Sequence, residues 1–139
     1  MGVRARAGSK TAFWWGDSVT PEQANYDCRV AYGPNGKEEP DKYRKRTTEV
    51  DAFPANPWGL HDMGGNLCQW CQDCYGPYDA LDHKGPVRMQ PAKDGKEARV
   101  LRGGCFYGGP RYCRAAIRRW DAPASRGSHI GCRVVSRLG

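Results

Sequence analysis

The sequence has no long apolar run: its hydrophobic residues make up 39% of 139 positions but are interrupted throughout by charge, glycine or proline, which excludes a membrane-spanning helix. No apolar segment follows the basic start Met1-Gly2-Val3-Arg4-Ala5-Arg6, so a secretory leader is not expected and the chain reads as cytoplasmic as made. Uninterrupted stretches for long helices are lacking too, because Gly 18 and Pro 10 take 28 positions, about a fifth; bundles and coiled coils are excluded on that count. Histidine is scarce. His61, His83 and His129 lie in three separate segments, none with a carboxylate or second histidine at ligand spacing, so a catalytic zinc centre gains no support. An even cysteine count is missing as well. Seven thiols (Cys28, Cys68, Cys71, Cys74, Cys105, Cys113, Cys132) cannot form a fully paired framework within one chain, and small packing thiols in a reduced protein are expected.

What is present suits a single domain over residues 1–139, long enough to bury one core. The formal charge is +7, from 22 Lys and Arg against 15 Asp and Glu. The densest cluster is Lys42, Arg44, Lys45 and Arg46, and a looser one runs Arg111, Arg114, Arg118, Arg119, Arg126. Neither interleaves with a nucleic-acid motif, so nucleic acid is not the expected partner.

Along the chain, Phe13-Trp14-Trp15-Gly16 predicts a buried strand or loop edge. Residues 17–49, with Gly33-Pro34-Asn35-Gly36 and Glu38-Glu39-Pro40-Asp41, predict an ordered irregular loop with no core element of its own. Thr47 to Phe53 reads as a short strand ended by Pro54. Leu67, Trp70, Cys71 and Cys74 fit either buried helical turns or a strand, and periodicity does not arbitrate at this length. Residues 76–98 read as a second surface loop, Arg99–Gly104 and Ile130–Val135 as strands, and Cys113–Trp120 as a short helix or strand.

Three local patterns carry chemistry. Cys68-x2-Cys71-x2-Cys74 has the spacing of iron–sulfur ligands, but the bulky or polar Gln69, Trp70, Gln72 and Asp73 between the thiols and the lack of a following Cys-Pro favour packing. Cys105 and Cys113 flank Gly108-Gly109-Pro110, where a hairpin would bring them together as a redox pair, a soft-metal pair or packing residues, packing being favoured. Asp62, Gly64-Gly65-Asn66 and Gln69 place oxygen donors on a tight loop of the kind a hard cation such as calcium takes.

Taken together, Trp58-Gly59-Leu60-His61-Asp62-Met63-Gly64-Gly65-Asn66-Leu67-Cys68-Gln69-Trp70, Arg99-Val100-Leu101-Arg102-Gly103-Gly104 and Ile130-Gly131-Cys132-Arg133 resemble, in order, the motifs of the formylglycine-generating enzyme or sulfatase-modifying factor family. Phe13-Trp14-Trp15-Gly16 and Ala24-Asn25-Tyr26 resemble an earlier stretch of it. The resemblance implies an α+β chain with a modified C-type-lectin fold: loop-rich, with a small twisted antiparallel sheet and few short helices, here as one N-terminally shortened domain. It also implies calcium. One site would take the Asp62 side chain, the Gly65 and Leu67 carbonyls and Gln69, where the family usually has Glu. A second would take Asn25, the Tyr26 carbonyl, Asp41 and the Tyr43 carbonyl.

Catalysis in that family needs two cysteines five apart after R-G-G, which bind copper(I) as soft thiolates and activate oxygen to oxidise a substrate cysteine. Cys113 matches the second, but the first falls on Gly108, which offers no ligand, and Cys105 stands three residues earlier. Copper is therefore not expected. The alternative is a copper-dependent formylglycine-generating oxidase, or a fragment of one, using Cys113 with Cys105.

The segment Cys105–Cys132 also resembles the variable region of diversity-generating retroelement proteins, which carry a hypervariable ligand-binding face on this fold. That implies a non-catalytic module that binds a protein or other surface ligand through Phe106, Tyr107, Tyr112, Ile117, Arg119, Trp120, Asp121, Arg126, Ser128 and His129. The mixture of rigid aromatic anchors, arginine and small adaptable residues is what such a face requires.

Overall fold

Among the described residues, strand ladders are short and many backbone groups find partners in turns and side chains. The computed structural model describes residues 2–76 and 98–134. Among them, regular structure comprises a helix, α1 (Gly2–Arg6), two 3-10 turns at Pro40–Lys42 and Pro110–Cys113, and four strands: β1 (Cys68–Cys74), β2 (Arg99–Arg102), β3 (Arg119–Asp121) and β4 (Ile130–Gly131). Proline opens both 3-10 turns, where its missing N–H costs nothing. The strands form one sheet in the order β3-β2-β1-β4, antiparallel except that β4 joins β1 in parallel. No described helix is long and apolar enough to cross a membrane.

The loop-rich α+β architecture agrees with the sequence reading. Both expected strands form, shortened to Arg99–Arg102 and Ile130–Gly131, while Val135 and residues 77–97 of the expected 76–98 loop lie outside the described residues. The ambiguous run around Trp70 is a strand. Alternation along β1 puts Cys68 and Cys74 on the buried side and Cys71 towards the other, so the three thiols diverge from any common ligand.

Thr47–Phe53 does not form the expected strand. The Asn66 side chain takes the place of a neighbouring strand there: its Oδ1 accepts the Thr48 N–H at 3.0 Å and its Nδ2 donates to the Thr48 carbonyl at 3.1 Å. With those groups satisfied, β pairing offers the segment nothing further. The start of the chain differs too. Gly2–Arg6 is helical because Ala5 docks against Met63 and Ala115, and Phe13 and Gly16 exchange N–H···O bonds across a tight turn at 2.9 and 3.3 Å.

Two apolar clusters flank the site region. One holds Phe13, Val19, Ala24, Tyr26, Cys28 and Cys113, so the irregular 17–49 segment supplies four of six core residues although its one regular element is the 3-10 turn at Pro40–Lys42. The other holds Cys68, Leu101 and Cys105 beneath Trp70 and Ile130. Burial of this set supplies the cohesive free energy, at about 25 cal/mol per Å² of apolar surface. Loops reach these clusters through backbone contacts too close for a side chain: at Gly65 (φ 111°) a Cβ would stand 2.7 Å from the Asn25 carbonyl oxygen.

Asn66 itself is buried, sits at φ 63°, and makes six hydrogen bonds counting its backbone. Replacing Asn66 by Ala is expected to lower the unfolding free energy by about 2–4 kcal/mol, because several buried groups lose their partners at once. Urea denaturation checks this against an exposed substitution such as Val50→Ala, which should change stability by less than about 0.5 kcal/mol.

Candidate functional site

The segment from Cys105 to His129 is fixed from below and open above. Arg102, the last residue of β2, donates from Nη1 to the Ala115 and Ile117 carbonyls at 3.2 Å each, which sets the loop that leads into β3. Asp121 ends β3 in a tight turn, its Oδ1 accepting the Ala122 N–H at 2.8 Å and the Ser125 hydroxyl at 2.6 Å. Those two bonds hold its carboxyl below the usual range. The Asn66 carbonyl accepts the Phe106 N–H at 2.9 Å, and the Gly108 carbonyl accepts the Asp27 N–H at 3.0 Å.

On this frame the aromatic and guanidinium groups meet. Tyr107 and Tyr112 are 42% and 37% exposed. The Tyr107 ring lies 4.8 Å from the His129 ring and 5.4 Å from Phe106. Tyr112 has the Arg119 guanidinium at 5.4 Å and the Arg111 guanidinium at 5.3 Å from its ring centre. Burial first, then the Arg119 charge, lowers the pKa of His129 from its ordinary value and favours the neutral ring. Ile117 is half-buried, while Arg126 and Ser128 are exposed on the turn before His129.

Trp120 belongs to a different patch. In β3, Arg119 pairs with Leu101 and Trp120 with Val100, so the indole points to the opposite side of the sheet from Arg119 and Asp121. It is 59% exposed and lies 6.1 Å from Tyr75, which carries the Arg118 guanidinium at 5.0 Å. The structure therefore brings Phe106, Tyr107, Tyr112, Arg119 and His129 together and sets Trp120 apart. Sequence reasoning missed Tyr75 and the placement of Arg111 over the Tyr112 ring. The basic spread 111–126 was the available signal for Arg111, but strand register was needed to separate the patches.

The thiols beneath the face do not match a copper pair. Position 108 is glycine, the Cys113 thiol is fully buried and pushed up by desolvation, and a Cβ on Gly104 would already stand 2.9 Å from its sulfur. Cys105 finds its sulfur partner in Cys68, not in Cys113. The Cys68 thiol donates to Cys105, and with the Gly108 and Tyr107 N–H groups and the Arg119 charge it outweighs burial to bring Cys105 down to about 7. The same bond pushes Cys68 up. This donor set does not fit the family's copper centre.

The first calcium set fits no better. Gln69 Nε2 donates to the Asp62 carbonyl at 3.3 Å, and its Oε1 accepts from Arg133 Nε at 3.1 Å, while Arg133 Nη2 reaches the His61 carbonyl at 2.7 Å. A guanidinium thus occupies the oxygen that a divalent cation needs, and only Asp62 would offset the charge. Burial raises the Asp62 carboxyl, opposed by the Asn66 bond. In the second set, Asn25 Oδ1 is buried without a hydrogen-bond partner, as a cation ligand would be in the absence of its ion; Tyr26 is buried beside it in sequence, and Asp41 and Tyr43 stand at the 3-10 turn. Of that set, the buried Asn25 oxygen is the atom suited to a hard cation; Asp41 is exposed.

A curled mixed sheet wrapped in ordered loops, with an aromatic and arginine surface above a buried thiol layer, defines the C-type-lectin-like, formylglycine-generating-enzyme-like class. The chain belongs to the sulfatase-modifying factor enzyme 1-like domain family, which matches residues 2–138. It is 33% identical over 99% of its length to a serine/threonine-protein kinase pkn1 of Chlamydia pneumoniae, covering 24% of that protein. It is 32% identical over 96% of its length to the formylglycine-generating enzyme of Thermomonospora curvata, covering 46% of it. Among solved structures, PvdO from Pseudomonas aeruginosa superposes with a TM-score of 0.74 at 28% identity, over 94% of this chain and 47% of that one. Treponema denticola variable protein 1 superposes with a TM-score of 0.70 at 25% identity, over 94% and 42%. The chain thus spans about a quarter to a half of the relatives it matches.

The Cys68–Cys105 bond has a measurable signature. Thiolate absorbance in the ultraviolet should titrate with a midpoint at about 7, absent in Cys105→Ser, and Cys68→Ala should move that midpoint upward because the donated hydrogen bond is gone.

Proposed function

We propose that the chain is a non-catalytic ligand-binding module, presenting residues of about 105–132 on a lectin-like scaffold in the manner of diversity-generating retroelement variable proteins. One observation carries this reading: Tyr107, Tyr112, Arg119 and His129 converge on an exposed surface where position 108 supplies no sulfur. The likeness to a treponemal variable protein supports it. Charge defines the ligand further. On this surface Arg111, Arg119 and Arg126 stand against the one acid of the segment, Asp121, so a protein surface rich in carboxylates is the matching partner. Calcium at Asn25, Tyr26, Asp41 and Tyr43 would tie two loops together away from this surface. Asn25 would supply the buried oxygen and Asp41 the charge.

Panning a random peptide library against the folded chain should select acidic peptides that lose about thirtyfold or more in affinity for Tyr107→Ala or Arg119→Ala, equivalent to about 2 kcal/mol per anchor. Retained binding in both variants, or loss of their circular dichroism, would overturn the reading. Trp120→Ala should leave these peptides bound, since the indole lies across the sheet. The enzyme reading draws on the 32% identity to a formylglycine-generating enzyme. Titration with copper(I) against a chelator discriminates: no tight complex is expected, and one that disappears in Cys113→Ser would restore the oxidase.

A further inference from the structure

Beside the Tyr112 surface, the loop around Val30 and the 3-10 turn at Pro110 enclose a cleft of about 450 Å³, within the range that small ligands occupy. Val30, Ala31, Gly109, Pro110 and the Tyr32 ring form its apolar wall, and Arg111 and Arg114 stand on its polar side. Val30 is 55% exposed, an aliphatic side chain that the described residues leave uncovered.

The walls are preformed. The Asp27 N–H to Gly108 carbonyl bond at 3.0 Å fastens one loop to the other at the base. Tyr32 rests edge-on against the buried Phe13 at 5.7 Å between ring centres. Arg114 is held in place from three directions: its Nε donates to the Arg111 carbonyl at 3.1 Å, its Nη1 to the Tyr32 hydroxyl at 3.3 Å, and its guanidinium lies 5.8 Å from the Tyr32 ring centre. All three fixed partners are neutral. No carboxylate among the described residues pairs with Arg111 or Arg114; the described ion pairs are Arg29 with Asp27 and Lys42 with Glu22 and Glu39.

From this geometry we infer that the cleft between Val30 and Arg114 binds a monocarboxylate with an aryl or branched alkyl body. Two neighbouring guanidinium groups without an acid satisfy a carboxylate, whose planar pair of oxygens matches their fork, better than any neutral polar group. The apolar wall excludes a small hydrated anion as the preferred occupant, since covering Val30 and Pro110 requires a hydrocarbon body. Preorganisation of Arg114 and Tyr32 removes much of the ordering cost of binding. The carboxylate has two sources, a free acid or the C-terminus of a peptide that ends in a hydrophobic residue. The site lies beside the surface proposed above and does not depend on it.

Titration of the folded chain with 4-phenylbutyrate, followed by calorimetry and amide chemical shifts, tests the inference, with 4-phenylbutanamide and acetate as the two controls. Binding at submillimolar to millimolar strength is expected for the acid, with a loss of about tenfold or more for the amide and for acetate. The shifts should centre on residues 30–32 and 109–114. Arg111→Gln, Arg114→Gln and Val30→Asp should each weaken binding by about tenfold. Arg111 is exposed, and among the described residues its guanidinium rests on the Tyr112 ring alone, so Arg111→Gln decides the matter if Arg114→Gln perturbs folding. Equal binding of acid and amide, no binding of the acid at 10-fold above about 1 mM, or an unchanged affinity in Arg111→Gln would each overturn it. An acetylated tripeptide ending in Leu-Phe, with a free or an amidated terminus, separates the sources. Tighter binding of the free-terminus peptide than of phenylbutyrate assigns the cleft to peptide ends; the reverse assigns it to small acids. Tyr107→Ala should change none of these affinities, so failure here and failure of the binding-face reading are told apart.

Discussion

Asn66 joins segments that would otherwise have no reason to remain together. Its N–H donates to the Asn25 carbonyl and its carbonyl accepts from Phe106, while its side chain engages Thr48, Asp62 and Asn25. One buried amide therefore holds the 25, 48, 62 and 106 segments in register. Its left-handed φ turns the chain directly into β1. A loop fold of this kind has few ladders to absorb unsatisfied backbone groups, so buried amide side chains carry that role, and each must find several partners to offset its own desolvation. Asn56 repeats the device on a smaller scale, its Oδ1 accepting from Trp58 and Leu60 and its Nδ2 donating to the Arg4 carbonyl.

That network also explains how a surface made of turns becomes a site. Phe106 hangs from Asn66, Gly108 from Asp27, and the 115–117 loop from Arg102. Between those fixed points Cys113 and Ala115 point into the core, while Tyr107, Arg111 and Tyr112, and past them Arg126, stand exposed on the outside. In the proposed binding role, affinity would rest on a few rigid rings and guanidinium groups, whose ordering cost is low because Tyr112 is already flanked by Arg111 and Arg119.

Sequence reasoning reached the class of the fold because the motifs around Asp62–Trp70, Arg99–Gly104 and Ile130–Arg133 mark its strands and turns: two of the four strands lie within those motifs and β1 begins in one. It stopped where the outcome depends on distant partners. Thr47–Phe53 has the apolar and β-branched residues of a strand, yet Asn66, far away in sequence, supplies its hydrogen bonds. The 17–49 segment has turn chemistry throughout, yet Val19, Ala24, Tyr26 and Cys28 are buried because aromatic neighbours from elsewhere close over them. The candidate surface was legible as a list of residues. Its division was not, because only the pairing of Trp120 with Val100 and Arg119 with Leu101 decides which side each faces.

Arg133 takes up oxygens that the family resemblance would assign to a cation. With glutamate at position 69, a second carboxylate would stand near Asp62, and the pair could hold a divalent ion together with backbone carbonyls. Glutamine removes that charge and leaves one oxygen and one amide, and both ends are used: the oxygen accepts from Arg133 and the amide donates to the Asp62 carbonyl. The guanidinium also takes the His61 carbonyl, so a single internal cation binds two oxygens of the loop. A divalent ion entering there would have to displace these bonds and sit beside a fixed positive charge, with only Asp62 to offset it. The loop is thus bridged by its own arginine, which holds Gln69 and the His61 carbonyl together from within the chain.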